Sequence, residues 1–393
     1  MSDPKPPAAP AALLAFGTAV SVATIYLTQP ILNLLAVVLH ASIREMGAVT
    51  TVTQLGYAAG ILFVVPLGDI IPKKRLILAK LVLVCAALIV TGAASTVGEM
   101  IAGSLAIGIF ATAAQDFIPL AAELSAPERR GRMIGTVMGG LLLGILGSRI
   151  FSGVLAGWLG WRAPFFAASG LILLVAFLVW KRIPSLRQAH VSTYPALIGS
   201  MATLVRKEPL LVLSTIGQGF IGLTFSAFWT TLSFHLGARF HLSPAQIGAF
   251  ALAGFAGAAF APVAGRLAYR HGPLFNIRTG IVLLVISFAS MLFLKDSLVA
   301  LAAAAVLFDL GVQVAMISHQ TIIYSLEPSA RSRINAVYIG GLFGFFALGS
   351  LAATWAFSRS GWTGVALLCL ASCLLAALVH AALARSWRRR NRS

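Results

Sequence analysis

The 393-residue chain is 59% hydrophobic and 10% charged, with a mean hydropathy of +0.93. Soluble domains carry roughly a quarter charged residues, so these charges are too few to cover a water-facing surface, and soluble, disordered and collagen-like readings are excluded. The net charge of +18 comes from basic clusters between long apolar runs, which is the trace of membrane topology and not of a polyanionic partner. A polytopic membrane protein remains, with no nucleic-acid partner.

Met1 to Pro10 is Pro-rich and lacks a positive cluster, so it does not read as a cleaved signal peptide. A bilayer core of about 30 Å needs about 20 apolar residues per helix, and only helices or closed barrels cross it. The runs are continuous and lack barrel-type alternation. They predict twelve spans: 11–39, 46–68, 75–95, 98–124, 131–157 and 162–182, then 210–238, 243–269, 274–294, 297–326, 331–358 and 361–386. The expected fold is therefore all-α. Two six-helix halves, 1–182 and 210–393, are joined by a linker at 183–209. Within the linker, Tyr194 to Val205 reads either as a short interfacial helix or as an ordinary connection. Cys85, Cys369 and Cys373 lie inside apolar runs and imply reduced packing residues, with no disulfide framework.

Lys and Arg alternate sharply between the two sides of these spans. One side holds Lys73, Lys74 and Arg75, Arg129 to Arg132, Lys181, Arg182 and the basic tail from Arg385. The other holds only Arg44, Arg162, Arg239, Lys295 and Arg359. Both termini are therefore expected in the cytoplasm. A shift of 201 residues superposes the halves: His40 falls on His241, Ser42 on Ser243, Gly47 on Gly248, Arg130 on Arg331 and Gly160-Trp161 on Gly361-Trp362. One offset serving many loops and spans is a parallel duplication, as in transporters whose substrate site lies between two repeats.

The loop Pro66-Leu-Gly-Asp-Ile-Ile-Pro-Lys-Lys-Arg75 resembles the loop 2–3 motif of the major facilitator superfamily. Asp69 matches its acid, and Lys74 and Arg75 its basic end. Val65 replaces the initial Gly, and Ile70-Ile71-Pro72 replaces the internal Arg-x-Gly. A second copy is carried by Gly265 and Arg270-His271-Gly272, with Tyr269 in place of the acid. Tyr26-Leu-Thr-Gln29-Pro30, Thr53-Gln54-Leu55-Gly56-Tyr57, Pro127-Glu-Arg-Arg-Gly131 and the glycine-rich span 5 are similar to bacterial drug:proton antiporters, near an arabinose-efflux-like branch. Ser148-Arg149 stands where that group's span 5 motif carries a Gly-Pro pair. The resemblance implies a cavity lined by spans 1, 4, 7 and 10, and a cytoplasmic gate at Asp69, Lys74 and Arg75. Solvated loop charge is the alternative for those three.

Embedded charges are costly and mark functional sites unless they serve packing. Asp309 in span 10 and Asp116 in span 4 are candidate proton-coupling acids, or structural partners of a cation. His319 titrates near physiological pH in water and is a third candidate, or a hydrogen-bonded packing residue. Arg149 in span 5 calls for an anionic partner, either Asp116, Asp309 or the substrate, with snorkelling or a wet pocket as the further alternative. Tyr26, Gln29, Asn33, Gln115, Gln218 and Gln313 are candidate substrate contacts, with helix–helix hydrogen bonding as the alternative. Trp229, with Phe225 and Phe228, offers an aromatic wall. Gly139, Gly140, Gly144 and Gly147 suit close helix approach. No metal spacing, phosphate loop or nucleophile motif is present, so no metal, cofactor or enzymatic activity is expected.

The reading is a monomeric secondary transporter of a bacterial inner membrane, exporting a drug-like compound, sugar or metabolite in exchange for protons. Proton-coupled uptake and uncoupled facilitation are the alternatives. A membrane-embedded enzyme or sensor is a further one, although the embedded charges scatter over three spans. The topology predicts that a cysteine at Arg359 reacts with an impermeant maleimide added outside intact cells. A cysteine at Arg333 should react only after the cells are opened.

Overall fold

A computed structural model describes residues 11–126, 128–185, 193–254, 272–327 and 330–390. Ten of its helices are long and apolar enough to cross a membrane. They run Ala11–Val38, Ile43–Asp69, Lys73–Ala93, Val97–Glu123, Arg130–Leu159 and Ala163–Arg182 (spans 1 to 6), then Pro209–Phe240 (span 7), Pro273–Phe293 (span 9), Leu298–Tyr324 (span 10) and Arg331–Arg390. The last breaks at Gly361, whose φ of 57° is non-helical, and so holds spans 11 and 12 end to end. Span 8 opens with the helix Pro244–Ala249. Its far part, together with Gly265 to His271 of the second loop motif, lies outside the described residues.

The repeat seen in the sequence is also a repeat of backbone geometry. Among the described residues, His40 and His241 are the non-glycine residues with positive φ, at 49° and 53°. Each is followed by a capping box, Ser42 with Glu45 and Ser243 with Gln246. The pair satisfies helix-end N–H groups that have no partner in the helix itself. Gly160 and Gly361 likewise share a positive φ.

Buried apolar side chains form two clusters. One is built from spans 1 to 6 with a few residues of span 11, and the other from spans 7 to 12. Large apolar residues such as Phe63, Trp158, Phe177, Phe293 and Leu378 are exposed, which suits a surface bathed in lipid. The linker contains the helix Tyr194–Lys207, which buries Met201 and Leu204. Tyr194 at its start donates to the carbonyl of Phe63 at 2.8 Å.

Two spans are interrupted where function was expected. Span 1 is α-helical over Ala11–Ala23 and Leu32–Val38, with 3-10 turns at Thr24–Tyr26 and Gln29–Ile31 between them. Pro30 lacks an N–H and crowds the preceding turn. The freed carbonyl of Leu27 is satisfied from span 5 by the Ser152 hydroxyl at 2.5 Å. Span 2 passes through a π segment at Gly60–Val64 and a 3-10 segment at Val65–Asp69, around Pro66.

The glycine stripe of span 5 divides by face. A side chain at Gly140 or Gly144 would strike the backbone of Ala15 or Ala19 in span 1, whereas nothing lies within 4 Å of such an atom at Gly139 or Gly147. Close contact between spans 1 and 5 thus rests on two of the four glycines. Gly140→Val should cost about 1–3 kcal/mol through overpacking and lower the thermal unfolding midpoint of the solubilised protein. Gly139→Val should leave that midpoint unchanged.

Candidate functional site

The broken middle of span 1 meets spans 5, 7 and 8 around a small cavity lined by Gln29, Pro30, Arg149 and Trp229, and by Leu232, Ser233 and Ile247. Arg149 dominates it. Its side chain is 1% exposed. Its Nε donates to Gln29 Oε1 at 3.0 Å and its Nη1 to the carbonyl of Ile145, one turn earlier, at 3.1 Å. The guanidinium lies over three rings, with Cζ 4.1 Å from the centre of Trp229, 5.0 Å from Tyr26 and 5.8 Å from Phe225. These cation–π contacts hold it without neutralising it. Among the described residues Arg149 Nη2 and Gln29 Nε2 have no hydrogen-bond partner.

Asp309 stands behind Trp229, 4% exposed, in electrostatic reach of Arg149 but forming no ion pair with it. The Trp229 indole N–H approaches the carboxylate, but neither Asp309 Oδ2 nor the indole nitrogen reaches full hydrogen-bond geometry with a described residue. A side chain at Gly254 in span 8 would collide with the same carboxylate oxygen. Three residues singled out in the sequence, Arg149, Trp229 and Asp309, therefore converge, with Gln29 and Tyr26 completing the group from span 1.

Asp116 does not join them. It is closed by Lys80 of span 3, whose Nζ lies 2.6 Å from Oδ2, with both side chains at least 96% buried (2% and 4% exposed). Arg149 therefore has no direct claim on Asp116. The partner of Asp116 carried a sequence signal: a lysine lies inside an apolar run 36 residues upstream.

The other candidates are spread out. Gln115 donates to the Tyr57 hydroxyl at 3.0 Å. Asn33 packs against Gly237 of span 7. His319 is buried beside Gly217, and neither of its ring nitrogens has a partner. Gln218 is buried with its Oε1 unpartnered, and Gln313 is half-buried. At the loop, Lys74 donates to the Trp180 carbonyl at 2.8 Å, and the ion pair is made by Lys73 with Glu123. Among the described residues Asp69 and Arg75 form no ion pair.

A polar cluster between the halves was not anticipated. Gln54 of span 2 donates to Ser226 of span 7 at 2.9 Å and accepts from Ser350 of span 11 at 3.1 Å, and Ser350 lies 2.8 Å from the Thr51 hydroxyl. Arg44 donates to Ser358 at 3.0 Å at the same end of the two spans. A threonine and a glutamine one turn apart are common on any buried helix face, so the sequence carried no distinctive signal for this contact.

The chain is 37% identical over 365 residues to a protein named "Uncharacterized transporter YgaY" from Escherichia coli O157:H7, covering 93% of this chain and 92% of that one. It is 28% identical over 214 residues to a "Probable sugar efflux transporter" of Haemophilus influenzae strain PittGG, covering 53% of this chain and 52% of that protein. The fold superposes, with a TM-score of 0.79 at 14% identity, on a bacterial homologue of the human lysosomal transporter Spinster in an inward-facing, unoccupied conformation, covering 96% of this chain and 97% of that one. The sequence pattern described as Major Facilitator Superfamily matches residues 14–225 and 214–393. Fold, duplication and sequence agree, and the chain is a membrane transporter that belongs to the Major Facilitator Superfamily.

Proposed function

We propose that the protein exports a small organic molecule across a bacterial inner membrane in exchange for protons. The observation that carries this is the buried Asp309 carboxylate, set beside the cavity with one oxygen unpartnered and a cation in electrostatic reach. An acid that can be charged or neutral while the cavity faces either side is the least that proton coupling requires. Export is supported by the likeness to the Haemophilus influenzae protein named "Probable sugar efflux transporter".

In this reading the halves, 1–182 and 210–393, rock about the cavity while the linker 183–209 holds them together. Both termini lie in the cytoplasm, and the protein works as a monomer. The hydrogen bonds joining Gln54 and Thr51 to Ser226 and Ser350 break when the outer end opens. Each is exchanged for water, so each costs little net free energy, which suits a gate. Asp309 carries the proton. Asp116 is held by Lys80 and serves the fold, as do the loop charges around Lys73.

Inverted vesicles carrying the protein and an imposed pH gradient test this, with amphiphilic drugs, sugars and organic acids added in turn. At least one compound should release protons from wild-type vesicles, and Asp309→Asn should reduce that release at least tenfold. Export by exchange is wrong if no compound does so, or if the variant matches wild type. Removing the lysine of the buried pair should instead damage folding. Lys80→Met leaves Asp116 buried and unpaired, at a cost of about 3–5 kcal/mol. The double variant Lys80→Met/Asp116→Leu should recover most of the lost thermal stability.

A further inference from the structure

We infer that the cavity beside Arg149 binds the carboxylate of an organic monoanion. This rests on the reading of that cavity as the transport site, and it names the class of cargo.

The argument begins with donors and acceptors. Arg149 has five N–H groups and no acceptor. Its Nε and Nη1 are used by Gln29 Oε1 and the Ile145 carbonyl, which leaves Nη2. The bond from Arg149 also fixes the Gln29 amide. Turning it over would set its NH2 against the guanidinium, so its oxygen must face Arg149 and its nitrogen must face away. That nitrogen, Nε2, has no partner either. Neither does the Ser233 hydroxyl, one turn beyond Trp229 on span 7.

All three residues line the same cavity. Arg149, Gln29 and Ser233 are each buried to 99% of their surface. The rest of the lining is Pro30, Trp229, Leu232 and Ile247. It contains no carboxylate, and Asp309 is set back behind the indole. The wall therefore combines one cation with no contacting carboxylate, three unused polar groups and an apolar remainder.

Buried polar atoms are nearly always partnered, and a buried cation most of all. The complementary ligand brings negative charge, two acceptor atoms close together and an apolar body. A carboxylate meets this through paired contacts to Arg149 and the Gln29 amide, with Ser233 as a further donor. The body packs against Trp229, Leu232 and Ile247 once the helices part, because the cavity as it stands has room for little more than a water. Amines are disfavoured because the guanidinium presents a like charge and the lining holds no carboxylate to pair with them; the Ser233 hydroxyl alone could accept from one. A second negative charge on the ligand is disfavoured by Asp309, which is close enough to act on Arg149. Gln29 is thus a selectivity residue: Arg149 orients it, and it shows its donors to the cargo.

The full-length protein, purified in detergent, is titrated with benzoate, benzamide and benzylamine while tryptophan fluorescence and the thermal midpoint are followed. Benzoate should bind saturably, at least tenfold tighter than the isosteric amide or the amine. Arg149→Gln should weaken it at least tenfold. Gln29→Glu keeps an acceptor for Arg149, and so preserves the fold, but turns a carboxylate oxygen toward the ligand. It should weaken benzoate equally while retaining the wild-type midpoint. Absence of benzoate binding, benzamide or benzylamine binding as well as benzoate, or a Gln29→Glu variant that binds like wild type would each overturn the assignment. The titration involves neither a gradient nor transport. Benzoate binding without proton exchange in vesicles keeps the anion site and removes the export reading; proton exchange driven by neutral or cationic compounds, without benzoate binding, does the reverse.

Discussion

Hydrocarbon offers no hydrogen bonds. A polar atom carried into the membrane is costly unless the protein, a water or cargo meets it. Most of the architecture follows. The backbone is helical because only a helix closes its own bonds. Where Pro30 breaks span 1, a serine from span 5 takes up the released carbonyl. Side-chain hydroxyls across the molecule fold back onto carbonyls of the preceding turn, as Thr18, Thr53 and Ser318 do.

Against that background the embedded charges fall into two kinds. Lys80 and Asp116 neutralise each other in direct contact and behave as a structural rivet between spans 3 and 4. Arg149 and Asp309 sense each other but do not touch, with the Trp229 ring beside both. Holding opposite charges apart costs stability, which a fold tolerates where work is done. The aromatic cage eases the cost for the cation through its ring quadrupoles. Two glycines permit the geometry: Gly254 leaves room for the Asp309 carboxylate, and Gly248 lets span 8 press against the Arg149 backbone.

The same closeness joins the two halves. Spans 2 and 11 approach where Gly47 receives Thr354 and where Gln54 reaches Ser226 and Ser350. Spans 5 and 8 meet through Gly153 and Gly248. Small residues bring backbones together without interlocking large side chains, and hydroxyl and amide bonds can be exchanged for water. Spans 2 and 11 also share a packed aromatic pair, Tyr57 with Phe343, whose ring centres lie 4.4 Å apart, so the hydroxyl and amide contacts are the more easily exchanged part of this interface.

Much was legible in the sequence. Apolar run length and the alternation of Lys and Arg marked the spans, because the bilayer sets one length and one energetic rule for all of them. The 201-residue offset marked the duplication, and the paired positive φ values at His40 and His241 and at Gly160 and Gly361 are its geometric form. Single buried charges stood out as Asp309, Asp116 and Arg149, because each is expensive alone. Only the tertiary structure decided which charges meet. Lys80 lies as deep in its span as Asp116 does in its own, yet pairing depends on the rotation of each helix about its axis, and an all-apolar helix has no polar face to reveal it. The same holds for Ser233 at the cavity and for the two glycines, of four, that touch span 1. Hydropathy says how far along a helix a residue lies, and only packing says which neighbour it faces.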